Sequence, residues 1–158
     1  MTAILSDCGQ YRYTLEREIP GGNGQAVLFV MLNPSTADAS EDDPTIRRCV
    51  GFARAWGYSR LLVGNLSAYR ATQPADVLGQ PRGPLCDRHL LAMANRAERI
   101  VCAWGSNAKR MTLRVGDVRA MLGFYRDLYH LGLTQDGHPK HPLYLRADTL
   151  PIRWEQTL

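Results

Sequence analysis

Several features that mark common classes of protein are missing from this sequence. No apolar run approaches the roughly 20 residues needed to span a bilayer, and residues 1–13 carry polar residues where a secretory signal needs an apolar core. There is no GxxxxGK(S/T) phosphate loop, no GxGxxG dinucleotide motif and no GxSxG nucleophile elbow. We therefore expect a cytoplasmic protein that makes no membrane contact, needs no cofactor and uses none of these three chemistries.

The cysteines are not clustered, and lysines are few. Cys8, Cys49, Cys86 and Cys102 are widely spaced without a CxxC pair, which predicts free and mostly buried thiols rather than a zinc site or a disulfide framework. Of the 19 basic residues 17 are arginines. The net charge of +4 is a mild excess that permits an anionic partner.

The order of apolar patterns predicts one α/β domain over residues 1–158. The predicted strands are 10–19, 26–32, 60–66, 100–104 and 127–131, and the predicted helices are 44–56, 84–96 and 107–122. Strand and helix alternate, which indicates a three-layer sandwich with a central, mainly parallel sheet and helices on both faces. In the first strand, apolar Tyr11, Tyr13 and Leu15 alternate with polar Arg12, Thr14 and Glu16.

Polar loops follow three of the predicted strands, at residues 33–38, 65–70 and 105–107, and a fourth polar segment lies at 137–142. Parallel strands place such loops at one edge of the sheet, where ligands of these folds bind. We therefore predict a site built from Asn33, Ser35, Thr36, Asp38, Asn65, Tyr69, Arg70, Ser106, Asn107, His138 and His141, with Arg47 from the following helix.

Some of these side chains have an ordinary structural interpretation as well. Asn33 holds a water or a substrate group through its amide, or it caps the strand as an Asn–Pro turn residue. His141 is the candidate donor to a developing negative charge, and His138 competes for that role. Arg47 contacts a phosphate or faces solvent.

An acidic cluster lies in the first of these loops. This cluster consists of Asp38, Asp42 and Asp43. It has three interpretations: the carboxylates bind a divalent metal, one of them is a general base, or they are merely solvated. Asp43 precedes Pro44 and is the expected helix N-cap, which leaves Asp38 as the better catalytic candidate. A metal-dependent small-molecule enzyme using this loop is therefore one alternative.

Six short segments together resemble a known family. They are MLNPSTAD at 31–38, DDPTIRRC at 42–49, WGY at 56–58, NL at 65–66 with RAT at 70–72, AWG at 103–105 and HPLY at 141–144. Over most of the chain they look like the bacterial and phage family catalogued as Domain of Unknown Function 1643. That name implies no function.

Four motifs are similar, more distantly, to the uracil-DNA glycosylase superfamily. There a first strand ends in G-x-(D/N)-P-x, a later strand ends in a base-reading Asn, another carries L-W-G-S-x-A and a final loop carries H-P-S-P. The corresponding segments here are LNPS at 32–35, GN at 64–65, WGSNA at 104–108 and HPL at 141–143. The resemblance implies a glycosylase-like fold in which Asn33 positions water, Asn65 reads the base and His141 stabilises the departing base.

The sequence departs from that pattern at Met31, where the superfamily has Gly, at Ser35, where many members have Gly or Tyr, and at Leu143-Tyr144, which replace Ser-Pro. Tyr69 is the candidate for the base-stacking aromatic residue. The resemblance implies a domain that recognises a nucleobase, nucleotide or DNA and hydrolyses an N-glycosidic bond. A non-catalytic module that binds a nucleotide or a modified base is the alternative, because Asn33 is a poorer general base than Asp.

Overall fold

A computed structural model describes residues 1–155 of the chain, and within them seven strands form one sheet beside three α-helices. The strands are β1 (Thr2–Leu5), β2 (Arg12–Glu18), β3 (Ala26–Met31), β4 (Arg60–Asn65), β5 (Arg99–Cys102), β6 (Leu128–His130) and β7 (Ile152–Arg153). The helices are α1 (Pro44–Ala55), α2 (Cys86–Arg96) and α3 (Thr112–Gly123). Three 3-10 turns lie at Pro74–Val77, Ser106–Met111 and Pro142–Tyr144.

The strand order is β1-β2-β4-β3-β5-β6-β7. The four strands β4, β3, β5 and β6 run parallel, while β1, β2 and β7 add to the sheet antiparallel. The chain leaves β3 toward β4 on one side and later returns to β5 on the other side of β3. This reversal is a topological switch point, and a crevice opens there at the carboxyl ends of the strands.

Alternating side chains of β3 pack against helices on the two faces of the sheet. Val27, Phe29 and Met31 pack in a core with α1, whereas Leu28 and Val30 pack in a second core with α2 and α3. All five side chains are at most 4% exposed, as expected for a central strand with both faces covered. The predicted α/β architecture with a mixed, mostly parallel central sheet is confirmed.

Several local predictions are also confirmed. Asp43 caps α1, since its carboxylate accepts the Ile46 amide hydrogen at 2.9 Å. Gly57 follows the helix with a φ of +85°. All four thiols are free, and only Cys8 is exposed. Every helix in residues 1–155 is too short or too polar to cross a membrane. The predicted single domain includes residues 156–158, which lie outside the described residues.

Other predicted elements change in extent. The predicted helix 107–122 begins as the 3-10 turn Ser106–Met111, and α3 starts only at Thr112. The edge strands β1 and β7 are additional to the predicted strands; they are short and largely exposed, so their sequences carry little apolar periodicity.

The alternation predicted for β2 is wrong. Ile4 pairs with Thr14 and Leu5 with Arg12, so Tyr13 is an extra residue opposite β1. Such a bulge changes the face on which the side chains before it lie relative to those after it, so Arg12 lies on the same side of the sheet as Arg17. Both arginines are only 2% exposed, and both guanidinium groups reach the loop between β3 and α1.

Candidate functional site

A cavity of about 530 Å³ lies at the carboxyl ends of β3, β4 and β5, at the switch point of the sheet. The amino terminus of α1 and residues 141–144 close its other sides. The latter segment reaches the sheet because the Gly105 amide donates to the Pro139 carbonyl at 2.9 Å. The cavity volume falls in the range of small-molecule sites, about 300–1,000 Å³.

Half of the residues predicted for the site line this cavity, although they come from four distant segments. They are Asn33, Ser35, Asn65, Ser106, Asn107 and His141. The other six, Thr36, Asp38, Arg47, Tyr69, Arg70 and His138, do not line it.

Asp38 and Arg47 are held by their own loop. The Asp38 carboxylate accepts the amide hydrogens of Ser40 and Glu41, both at 2.9 Å, and these bonds lower its pKa. The exposed Arg47 donates to the Asp42 carbonyl at 2.9 Å. Both side chains therefore order the loop beside the cavity instead of facing a ligand in it.

The remaining four predicted residues are exposed or make contacts outside the cavity lining. The Tyr69 ring packs edge-on against Tyr11, with centroids 6.0 Å apart. Arg70 donates weakly to the Ser35 carbonyl at 3.5 Å. The His138 amide donates to Thr134 Oγ1 at 3.2 Å in a turn, and Thr36 is exposed.

Asn65 is the most distinctive residue of the cavity. It ends β4 beside Met31 of β3 and is only 3% exposed, yet neither its Oδ1 nor its Nδ2 has a hydrogen-bond partner among residues 1–155. The strand lies close to α2 here, since a Cβ on Gly64 would be 2.6 Å from Leu90 Cδ2. A buried polar group without a partner costs about 1–3 kcal/mol, so this amide is suited to a ligand that pairs with it.

Asn33 is partly structural. Its Nδ2 donates to the Pro34 carbonyl at 2.9 Å and to the Ala71 carbonyl at 2.8 Å. Both N–H groups are therefore used, and the bond to Ala71 joins the loop after β3 to the loop after β4. Only Oδ1 is left, and an amide oxygen accepts a hydrogen bond without taking up the proton.

His141 is set up as a neutral donor. Its Nδ1 accepts the Leu143 amide hydrogen at 3.2 Å, so the neutral ring carries its proton on Nε2. Burial lowers the pKa of this imidazole, against a smaller opposite effect of Asp43. The ring also packs directly on Gly105, where an added Cβ would lie 3.3 Å from the His141 Cβ.

Arg12 lines the cavity but does not stand out in the sequence, where it reads as a polar residue on an exposed strand face. Its Nη1 donates to the Ala37 carbonyl at 2.9 Å, whereas Nε has no partner within the described part of the chain. Burial lowers the pKa of Arg12 to about 10, although Asp43 acts in the opposite direction. The position of Arg12 in the cavity follows from the bulge in β2, and no sequence pattern predicts that bulge.

The acidic loop does not form a metal site. Asp38 bonds its own loop, Asp42 pairs with Arg17 at 2.7 Å, and Asp43 caps α1. Residues 1–155 contain no group of three or more side chains that could hold a metal ion. The metal-dependent alternative therefore lacks its coordinating cluster in the part of the chain that the structure describes.

Known proteins give a family but no activity. No curated protein and no solved structure matches the chain. The family model described as protein of unknown function (DUF1643) matches residues 12–143, a span that includes β2, the parallel strands and the cavity as far as Leu143. The chain therefore belongs to the DUF1643 family of proteins of unknown function.

Proposed function

We propose that this protein recognises a nucleobase in the cavity at the carboxyl edge of the sheet, through the side-chain amide of Asn65. The observation that carries the proposal is the Asn65 side chain itself, which is 3% exposed with neither polar atom paired. A primary amide offers a donor beside an acceptor, the pattern that pairs with the edge of a base.

The surroundings of Asn65 support the same ligand. Trp104 also lines the cavity, and its side chain is only 1% exposed. Its indole N–H has no partner among the residues that the structure describes. Ser106 and Asn107 supply exposed polar groups at its mouth. The order of the four motifs further supports a fold of the uracil-DNA glycosylase type, with a base carried by a nucleotide or by DNA.

The reaction that we propose for such a ligand is hydrolysis of its N-glycosidic bond. The Nε2–H of His141 would donate to the base as the bond electrons move onto it, as neutral donors stabilise anions in other enzymes. Asn33 Oδ1 would accept a hydrogen bond from the attacking water and orient it. The water oxygen would bond to the sugar carbon as the C–N bond breaks, and the proton that the water loses would pass to the departing base or to solvent. Because the amide oxygen of Asn33 does not take up this proton, we expect slow hydrolysis.

Binding without hydrolysis is the second candidate, and one observation favours it. Both N–H groups of Asn33 are bonded to main-chain carbonyls, which makes this residue a structural cross-link as well as a site residue. A protein with this cavity would sense a nucleotide or a modified base through Asn65.

The test is titration of the protein with a panel of nucleosides, followed by assay for release of free base. We expect one base to be preferred, and Asn65→Ala to weaken its binding by roughly ten- to a hundredfold, on the cost of an unpaired buried group. Asn95→Ala, on the exposed face of α2, is the control and leaves binding unchanged. Equal affinity for all bases, or none for any, rejects the proposal; release of base separates hydrolysis from sensing.

A further inference from the structure

Two arginines of β2 are buried to the same extent and hold the same loop. Arg12 and Arg17 are each 2% exposed, and both donate to the chain between β3 and α1. Arg17 is fully paired: Nε donates to the Asp42 carboxylate, Nη1 to the Glu16 carbonyl, and Nη2 to two further carbonyls. Its charge is balanced, and it does not line the cavity.

Arg12 differs from Arg17 in both respects. Among residues 1–155, its side chain donates to a neutral acceptor, the Ala37 carbonyl, and its Nε has no partner. None of the ion pairs formed within residues 1–155 includes Arg12. A buried cation without an ionised partner is unfavourable, and an anionic group in the cavity would compensate it.

Arg12 also lines the cavity that holds Asn65. Its backbone amide donates to the Ala68 carbonyl at 2.9 Å, three residues after Asn65, and both side chains line the same cavity. A ligand held by the Asn65 amide therefore lies in the cavity that the partly paired Arg12 guanidinium also lines.

Resting on the proposed base recognition, we infer that Arg12 binds a terminal phosphate of the ligand, which makes the ligand a free nucleotide. A guanidinium fork matches phosphate oxygens in geometry and charge. A phosphodiester within a strand continues into a second nucleotide, which would have to follow it toward a side chain that is 2% exposed. A terminal monoester ends at that point.

Asp43 is the one carboxylate among the described residues that line the cavity, and it opposes a phosphate. Its repulsion is reduced because one oxygen accepts the Ile46 amide hydrogen and because the group lies at the positive end of α1. The same helix end adds positive partial charge to this side of the cavity.

The test compares nucleosides, their 5′-monophosphates and short single-stranded oligonucleotides by calorimetric titration. We expect the monophosphate of the preferred base to bind about ten- to a hundredfold more tightly than its nucleoside, the size of a charge-assisted hydrogen bond. An oligonucleotide with the same base at an internal position binds no more tightly than the nucleoside. Arg12→Gln removes the gain from the phosphate, while the matched variant Arg17→Gln keeps it.

Equal binding of nucleoside and monophosphate by the unmodified protein overturns the inference, and this comparison needs no variant to fold. A base preference without a phosphate gain leaves the Asn65 proposal standing and rejects the role of Arg12. A gain that survives in Arg12→Gln, or tighter binding of the oligonucleotide, also rejects it. Absence of any base preference rejects the base recognition on which it rests.

Discussion

Two clefts of similar size lie at opposite ends of the parallel strands. The cavity at the carboxyl ends measures about 530 Å³, and a cleft of about 450 Å³ lies at the amino ends, where Gly24, Arg60 and Glu98 are among its lining residues. Among residues 1–155, three side chains with unpaired buried polar atoms line the first, namely Arg12, Asn65 and Trp104, and none lines the second.

The difference shows that volume alone does not mark a site in this protein. Folding normally pairs buried polar groups, so three unpaired ones around one cavity require an explanation outside the fold. The amino-end cleft requires none, because its polar groups are exposed or paired.

The largest expected difference concerns stability. Arg17→Gln should lower the free energy of unfolding by about 3 kcal/mol, because it removes a buried guanidinium that pairs with Asp42 and holds the loop beside the cavity. Arg60→Gln, at the amino end, should cost less than about 1 kcal/mol, since its pair with Glu18 is exposed and 3.7 Å long. Urea denaturation of both variants measures this; equal losses would contradict the tighter anchoring of the carboxyl end.

A smaller effect is expected from two glycines, one at each end. Gly105 and Gly24 have φ values of +81° and +83°, so an alanine strains either backbone by about 1–2 kcal/mol. Only at Gly105 does the new Cβ meet a neighbour, His141, at 3.3 Å. Gly105→Ala should therefore also weaken base binding several-fold, and Gly24→Ala should not. Calorimetric titration and thermal melting of both variants test this, and similar binding by the two would place His141 outside the ligand contacts.

The smallest expected effect is a pH dependence at the carboxyl end. Burial lowers the pKa of His141 below the ordinary value of about 6.5, so the unfolded chain binds this proton more readily. The free energy of unfolding should therefore fall as the pH drops from about 6.5. For the variant His141→Gln, this free energy should fall less steeply than for the unmodified protein. Denaturation between pH 7 and about 5 measures both slopes, and parallel slopes would show that His141 does not contribute.

Much of the fold follows from patterns that are local in the sequence. The unbroken apolar run of β3 predicts a strand covered on both faces, and Asp43 before Pro44 predicts the start of α1; both predictions are confirmed. The short edge strands and the 3-10 start before α3 were not predictable in this way, because their sequences lack a marked period.

The sequence by itself determined the α/β architecture and the polar loops after the parallel strands. The spacing of apolar residues and the alternation of strands with helices are local patterns that can be read along the chain. Whether a loop residue lines the cavity depended on contacts between distant segments. Asp38 accepts hydrogen bonds from its own loop, and Asn33 donates to the Ala71 carbonyl. Arg12 lines the cavity because the bulge at Tyr13 changes the register of β2. Hydrogen-bond partners and strand register exist only after the chain has folded, so no pattern of residue types could have assigned these three side chains.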